Sequence, residues 1–274
     1  MNILGYCTLL LVFPFLISKA VLAEPLQARE YPDFSHYILA LSWQTGYCQS
    51  QYDRYKKESK VCKKQQEAAD KRSYIVVHGL WPSLPASIAA QGVDEKHWIR
   101  YGCSTRPHPN MPKVNASNKC NAPVTAISLE VASKLADVMP AAGGDSCLER
   151  YEYAKHGVCF GFNSNDYFAT MVRLSNEVKQ QALGHFIQQH YGQVVTREAF
   201  NRAVKESWGD NAVKAIKLNC NGNPAYLTDI QIALRADKIN LPLHDASFVT
   251  HKYLGNCGNV FRLDALGYSS IISP

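Results

Sequence analysis

Tyr74-Ile75-Val76-Val77-His78-Gly79-Leu80-Trp81-Pro82-Ser83 is the stretch that decides how this chain folds. Its first four residues are short, apolar or aromatic and largely β-branched, which predicts a buried strand. Gly79 and Pro82 are expected to break that strand at once. His78 would then sit at a strand end, held rigidly yet open to a cleft.

A second histidine segment lies about seventy residues on, at Cys147-Leu148-Glu149-Arg150-Tyr151-Glu152-Tyr153-Ala154-Lys155-His156-Gly157-Val158-Cys159. A helix over Leu148–His156 puts Glu152 and His156, four apart, on one face. Lys155 is beside them and Tyr151 is four residues before Lys155. One helix can thus offer a carboxylate, an ammonium, a phenol and an imidazole to the cleft that His78 enters from the strand.

The flanking sequence supplies the rest of an α+β fold. Tyr37–Trp43 reads as a buried strand. Ala215–Cys220 and Tyr226–Leu234 flank Asn221-Gly222-Asn223-Pro224 and form a hairpin signature. Helices are expected at Ser128–Val138, with Ser128 as cap and Pro140 as stop, at Asp166–Gln180, and at Thr196–Trp208, with Thr196 as cap. Tyr101 to Val124, rich in Pro, Asn and Ser and carrying two Cys, reads as a long stapled surface loop. Asn115-Ala116-Ser117 has the pattern of a glycosylation sequon. Helices set against a central, largely antiparallel sheet follow. No linker or internal repeat divides the chain, so residues 24–274 are expected to form one domain.

Ile3 to Ile17 is almost wholly apolar and Val21-Leu22-Ala23 precedes a plausible cut at Glu24, the pattern of an export signal over residues 1–23. The alternative, a membrane anchor, needs roughly 20 apolar residues. No Lys or Arg precedes the apolar run. Of nine Cys, Cys7 falls in this leader and eight remain, an even set that reads as a disulfide framework in an exported protein. No CxxC pair points to zinc. Cys48 with Cys62 would close a short loop and Cys220 with Cys257 a late one, but on the order of a hundred pairings exist and spacing does not choose among them. The formal charge of +6 leans towards an anionic partner such as nucleic acid.

Two imidazoles, a carboxylate and an ammonium suit cleavage of RNA by its own 2′-hydroxyl. One imidazole takes the hydroxyl proton and the other protonates the departing 5′-oxygen. Lys155 would stabilise charge gathering on the phosphate. Glu152 could orient or polarise His156, or act on a protonated phosphoryl oxygen. Rival chemistries lack their signatures: His-Glu-x-x-His is absent, as is a Gly-x-Ser-x-Gly elbow, and the remaining Cys are expected to be paired. A binding protein with an idle site is the other alternative, and all four reacting residues are intact. Trp43, Trp98 and Trp208 read as core residues. His36, His97, His108, His185, His190, His244 and His251 have no setting that assigns them a role.

These residues resemble the ribonuclease T2 family. His78-Gly79-Leu80-Trp81-Pro82 is similar to its first catalytic segment, and Tyr151 to Cys159 to its second. Ala40-Leu41-Ser42-Trp43-Gln44 resembles its first core strand. Residues 30 to 262 are similar to a bacterial periplasmic member. The resemblance implies a T2-like α+β fold, no metal or cofactor, RNA as the partner, a monomer, a periplasmic or secreted location with no membrane attachment after leader cleavage, and little base preference. His78 would be the general acid of the first step and His156 the base, with roles exchanged if the cyclic product is hydrolysed. Glu152 and Lys155 would stabilise the crowded phosphate, and Trp81 would border the base or phosphate pocket. Cys159 would pair with a cysteine downstream of His78, Cys103 ahead of Cys120. Two departures stand out. Many members carry a third histidine where this chain has Tyr151, a phenol that brings no positive charge. Several place an acidic residue after the proline for base recognition, where this chain has Ser83.

Overall fold

A computed structural model describes residues 24–67, 75–105, 115–144 and 146–265. The leader, Tyr74 and His108 lie outside the described residues. The first strand, β1 (His36–Trp43), turns directly into α1 (Gln44–Tyr55), which is followed by α2 (Lys60–Glu67). Then come β2 (Ile75–Pro82), α3 (Ala86–Ala89), α4 (Glu95–Tyr101), α5 (Leu129–Val138), α6 (Leu148–His156), α7 (Ser164–Gln180), α8 (Ala182–Gln189), β3 (Val194–Thr196), α9 (Arg197–Trp208), α10 (Asp210–Ala215), β4 (Ile216–Asn221), β5 (Tyr226–Arg235) and β6 (Val260–Arg262). The sheet runs β2-β1-β5-β6-β3, with β4 also on β5. Its pairings are antiparallel except for the brief β5–β6 contact. The α+β expectation holds.

Strand alternation gives the sheet two unlike faces. Tyr37, Leu39, Leu41 and Trp43 of β1 are buried beside Ile230, Ile232 and Leu234 of β5. Tyr167, Phe168, Met171 and Leu174 of α7 belong to the same core. The other face presents His36 and Ile38 of β1, Gln231 and Ala233 of β5, and Lys217 of β4 to an open cleft.

The strand carrying His78 is longer than the sequence suggests. Gly79 does not end it; β2 runs on and stops only at Pro82, because every residue but one has a β1 partner. The exception is His78. Val77 pairs with Leu41 and Gly79 with Ala40, so His78 is the extra residue of a β-bulge. His78 and Trp81 are three apart and would fall on opposite faces of a regular strand. The bulge restores both to the cleft side while Val77 and Leu80 stay in the core. Tyr167 then fixes the strand by donating its hydroxyl to Leu80 O at 2.7 Å, and Trp98 donates its indole N–H to Pro82 O at 3.0 Å.

The expected helix caps are present. Ser128 Oγ accepts from Val131 N at 3.2 Å and Thr196 Oγ1 from Ala199 N at 3.1 Å. α7 begins two residues earlier than expected because Asn163 caps it. α1, α2, α3, α4, α8 and α10 were not anticipated. Within the presumed loop at 101–124, Gly102–Thr105 and Lys119–Asn121 are 3-10 turns, and Cys103 is buried. Four disulfides close Cys48–Cys62, Cys103–Cys159, Cys120–Cys147 and Cys220–Cys257. Among the described residues no helix is long and apolar enough to cross a membrane.

Candidate active site

α6 has the predicted bounds. Leu148, Glu152 and His156, each four apart, form its buried face, and Lys155 and Tyr151 stand at its margin. Its end is shaped by Gly157, where a Cβ would come within 2.6 Å of the Tyr153 ring. The inward face lies against β2, so the two histidine segments meet.

Glu152 is the centre of the cluster. Its Oε1 is 3.5 Å from His78 Nε2 and its Oε2 is 3.9 Å from His156 Nε2. Oε2 also accepts the Trp81 indole N–H at 2.7 Å. The Trp81 ring stacks on His156 at 5.4 Å and meets His78 edge-on at 5.5 Å. One indole therefore touches all three ionisable groups.

Burial sets the two histidines apart. His156 is 4% exposed. Desolvation, then the charges of Lys155 and His78, hold its pKa well below the usual imidazole value. Its Nδ1 is buried with no hydrogen-bond partner. The His78 side chain, by contrast, is 40% exposed. Glu152, 1% exposed, is pushed up by desolvation, against the opposing pull of His78, the Trp81 hydrogen bond, Lys155 and Lys119. Lys155 is lowered by burial, with Glu152 opposing. Burial thus disfavours the charged form of Glu152, Lys155 and His156 alike.

The cleft has a volume of about 790 Å³, and His78, Trp81, Tyr151, Glu152, Lys155 and His156 all line it. Sequence reasoning missed Lys119. It comes from the 3-10 turn beside Cys120, which the Cys120–Cys147 disulfide ties to the start of α6. Lys119 Nζ lies 5.8 Å and Lys155 Nζ 5.7 Å from the Tyr151 ring centre. The phenol thus gathers two ammoniums. Nothing short of the disulfide pairing could have brought Lys119 here. His36 and His251, assigned no role, also line the cleft. Ser83 Oγ accepts from the backbone N–H of Ser35 at 3.2 Å and of His36 at 3.3 Å, so its hydroxyl clamps the start of β1. Among the described residues no group of three or more His, Cys, Asp or Glu side chains is placed to hold a metal.

Comparison with known proteins identifies the family. The model of the ribonuclease T2 family matches residues 34–245. Ribonuclease I of Escherichia coli is 54% identical over 257 residues, which span 94% of this chain and 95% of that protein. Among solved structures, a Japanese pear S3-RNase superposes with a TM-score of 0.50 at 18% identity, covering 84% of this chain and 99% of the other. A mutant RNase MC1 in complex with 5′-GMP gives a TM-score of 0.50 at 17% identity, again with 84% and 99% coverage. At those identities the two structures speak for the fold alone.

Proposed function

This chain belongs to the ribonuclease T2 family and is a ribonuclease, and from that premise we propose that it is an exported, monomeric endonuclease that cuts single-stranded RNA by transphosphorylation, with little base preference. The 2′-oxygen attacks the adjacent phosphorus, the bond to the 5′-oxygen breaks, and a 2′,3′-cyclic phosphate is left. In a second step water attacks that phosphorus and opens the ring to a 3′-phosphate.

The observation that carries this reading is the placement of one carboxylate between two imidazoles of opposite environment. A histidine kept neutral by burial is poised to accept a proton, so His156 takes the proton of the 2′-hydroxyl. His78, reachable from solvent, gives one to the departing 5′-oxygen. Water reverses the two roles when the ring opens. Lys155 offsets charge on the phosphate oxygens, with Glu152 holding both imidazoles in register. Trp81 and Tyr151 form the walls. The mechanism uses no metal or cofactor. After removal of residues 1–23 the protein works in the periplasm or outside the cell.

A DNA strand containing one ribonucleotide tests this directly. Mass spectrometry should find a single cut, 3′ to that ribonucleotide, leaving a cyclic phosphate. Scission at deoxynucleotides, or a 5′-phosphate product, would overturn the reading. His78→Ala and His156→Ala should each lower the rate by about 10²–10⁴ with the fold intact.

A further inference from the structure

The cleft does not end at the catalytic cluster. It continues across β1 and β5 to β4, where Lys217, His251, Lys252 and Tyr253 form its far wall. In the order β2-β1-β5-β4, Lys217 is three strand spacings from the strand of His78, about 14 Å away. None of these residues touches the reacting groups.

This wall is built, not incidental. Residues 249–257 run as a strap from β5 past α10 onto β4. Val249 N–H donates to Ala233 O at 3.0 Å and His251 N–H to Lys214 O at 2.9 Å. Leu218 N–H donates to Leu254 O at 3.1 Å, and Asn256 N–H to Leu218 O at 3.1 Å. The Cys220–Cys257 disulfide closes the strap. At Gly255 the backbone φ is +93°, and a Cβ there would be 1.9 Å from Leu218 O, so only glycine permits so close an approach. The rigid strap presents Tyr253, 60% exposed, with Lys217 Nζ 6.0 Å from its ring centre. Lys252 is exposed beside it. Among the described residues lining the cleft, Glu95 is the one carboxylate besides Glu152.

An exposed aromatic face flanked by cations in a groove is the arrangement that holds single-stranded nucleic acid without reading its sequence. We propose that this wall is a subsite for a nucleotide of the RNA strand remote from the cleaved bond, with Tyr253 stacking on the base and Lys217 and Lys252 contacting phosphate. This rests on the reading of the chain as an RNA endonuclease and adds that its efficiency grows with substrate length.

The test compares steady-state cleavage of a dinucleoside monophosphate with that of an RNA strand of about ten nucleotides. The wild-type enzyme should have the lower KM on the longer strand. Tyr253→Ala should raise that KM at least about fivefold and leave the dinucleotide unchanged. Tyr253→Phe, which keeps the stacking face, should behave as wild type. Lys217→Gln should flatten the salt dependence of KM on the longer strand alone. Equal effects on both substrates, or no effect on the longer one, would overturn the subsite while leaving the ribonuclease reading intact. Failure of the wild-type protein to cut either substrate would overturn both.

Discussion

Trp81 gives its indole hydrogen to Glu152 Oε2 at 2.7 Å while stacking on His156. Its neighbour at the bulge, His78, faces the other oxygen of the same carboxylate. The indole therefore acts as a support for the acid/base set as well as a wall of the cleft. Trp81→Phe keeps a ring in place but removes the donor that favours the charged carboxylate. A hydrogen bond to a charged group is worth about 1.5–3 kcal/mol, so kcat on RNA should fall about ten- to a hundredfold. Steady-state kinetics beside a circular dichroism spectrum unchanged from wild type will check this. An unaltered kcat would show that the bond is idle.

Gly79 is required by proximity. A Cβ there would lie 2.2 Å from Glu152 Oε2 and 2.3 Å from Trp81 Nε1, both anchored groups. Gly79→Ala should displace the carboxylate, with a stability loss of about 1–3 kcal/mol, as overpacking usually brings. Activity should drop further than stability alone explains. Urea titration paired with kcat at a denaturant-free reference gives both numbers.

Glu152 has a stability signature separable from catalysis. Burial raises its folded-state pKa, so the stabilising form is the protonated one, present at low pH and lost as pH rises through that raised value. Ionising Glu152 in the folded protein thus costs stability as pH rises. Glu152→Gln should therefore raise Tm at pH 7, by about 2–4 °C for each 1 kcal/mol relieved. The gain should shrink near pH 4, while cleavage is impaired at both. Calorimetry at the two pH values decides; a Tm that falls at pH 7 would mean the ion contacts outweigh burial.

Much of this was legible where a local rule acts alone. The apolar run Tyr37–Trp43 announces β1, and the caps Ser128 and Thr196 fix α5 and α9. The four-residue spacing of Glu152 and His156 gives the catalytic face of α6. The continuation of β2 was hidden because it depends on a partner. Gly79 ends a strand in isolation, but here Ala40 supplies its ladder, and a bulge at His78 is invisible without the facing register. α1 was missed because it follows β1 without a break and starts with buried Gln44, Thr45 and Gly46, which carry no apolar stripe. Lys119 was missed because its place depends on a cysteine pairing that spacing does not specify.

Lys119 supplies positive charge beside the Tyr151 ring. Lys119→Ala should weaken RNA binding with little change in the pH profile, and lower the slope of log KM against log salt by about 1 if it contacts a phosphate. KM measured over a range of salt concentrations reads this out. An unchanged slope would confine Lys119 to holding the Tyr151 ring.

Lys155 acts on the proton inventory as well as on phosphate charge. After desolvation, its ammonium is the main cause that depresses His156, and it also helps keep Glu152 charged. Removing it should let both groups hold their protons to higher pH. A base must be unprotonated to work, so the acid limb of the kcat/KM profile should move up in Lys155→Ala. The rate at the optimum should also fall, by about tenfold or more, because an electrostatic stabiliser is gone. Lys155→Arg keeps the charge and should leave the limb in place even if its rate suffers. A limb that stays fixed in Lys155→Ala would mean that burial alone keeps His156 neutral, and that the lysine serves the phosphate only.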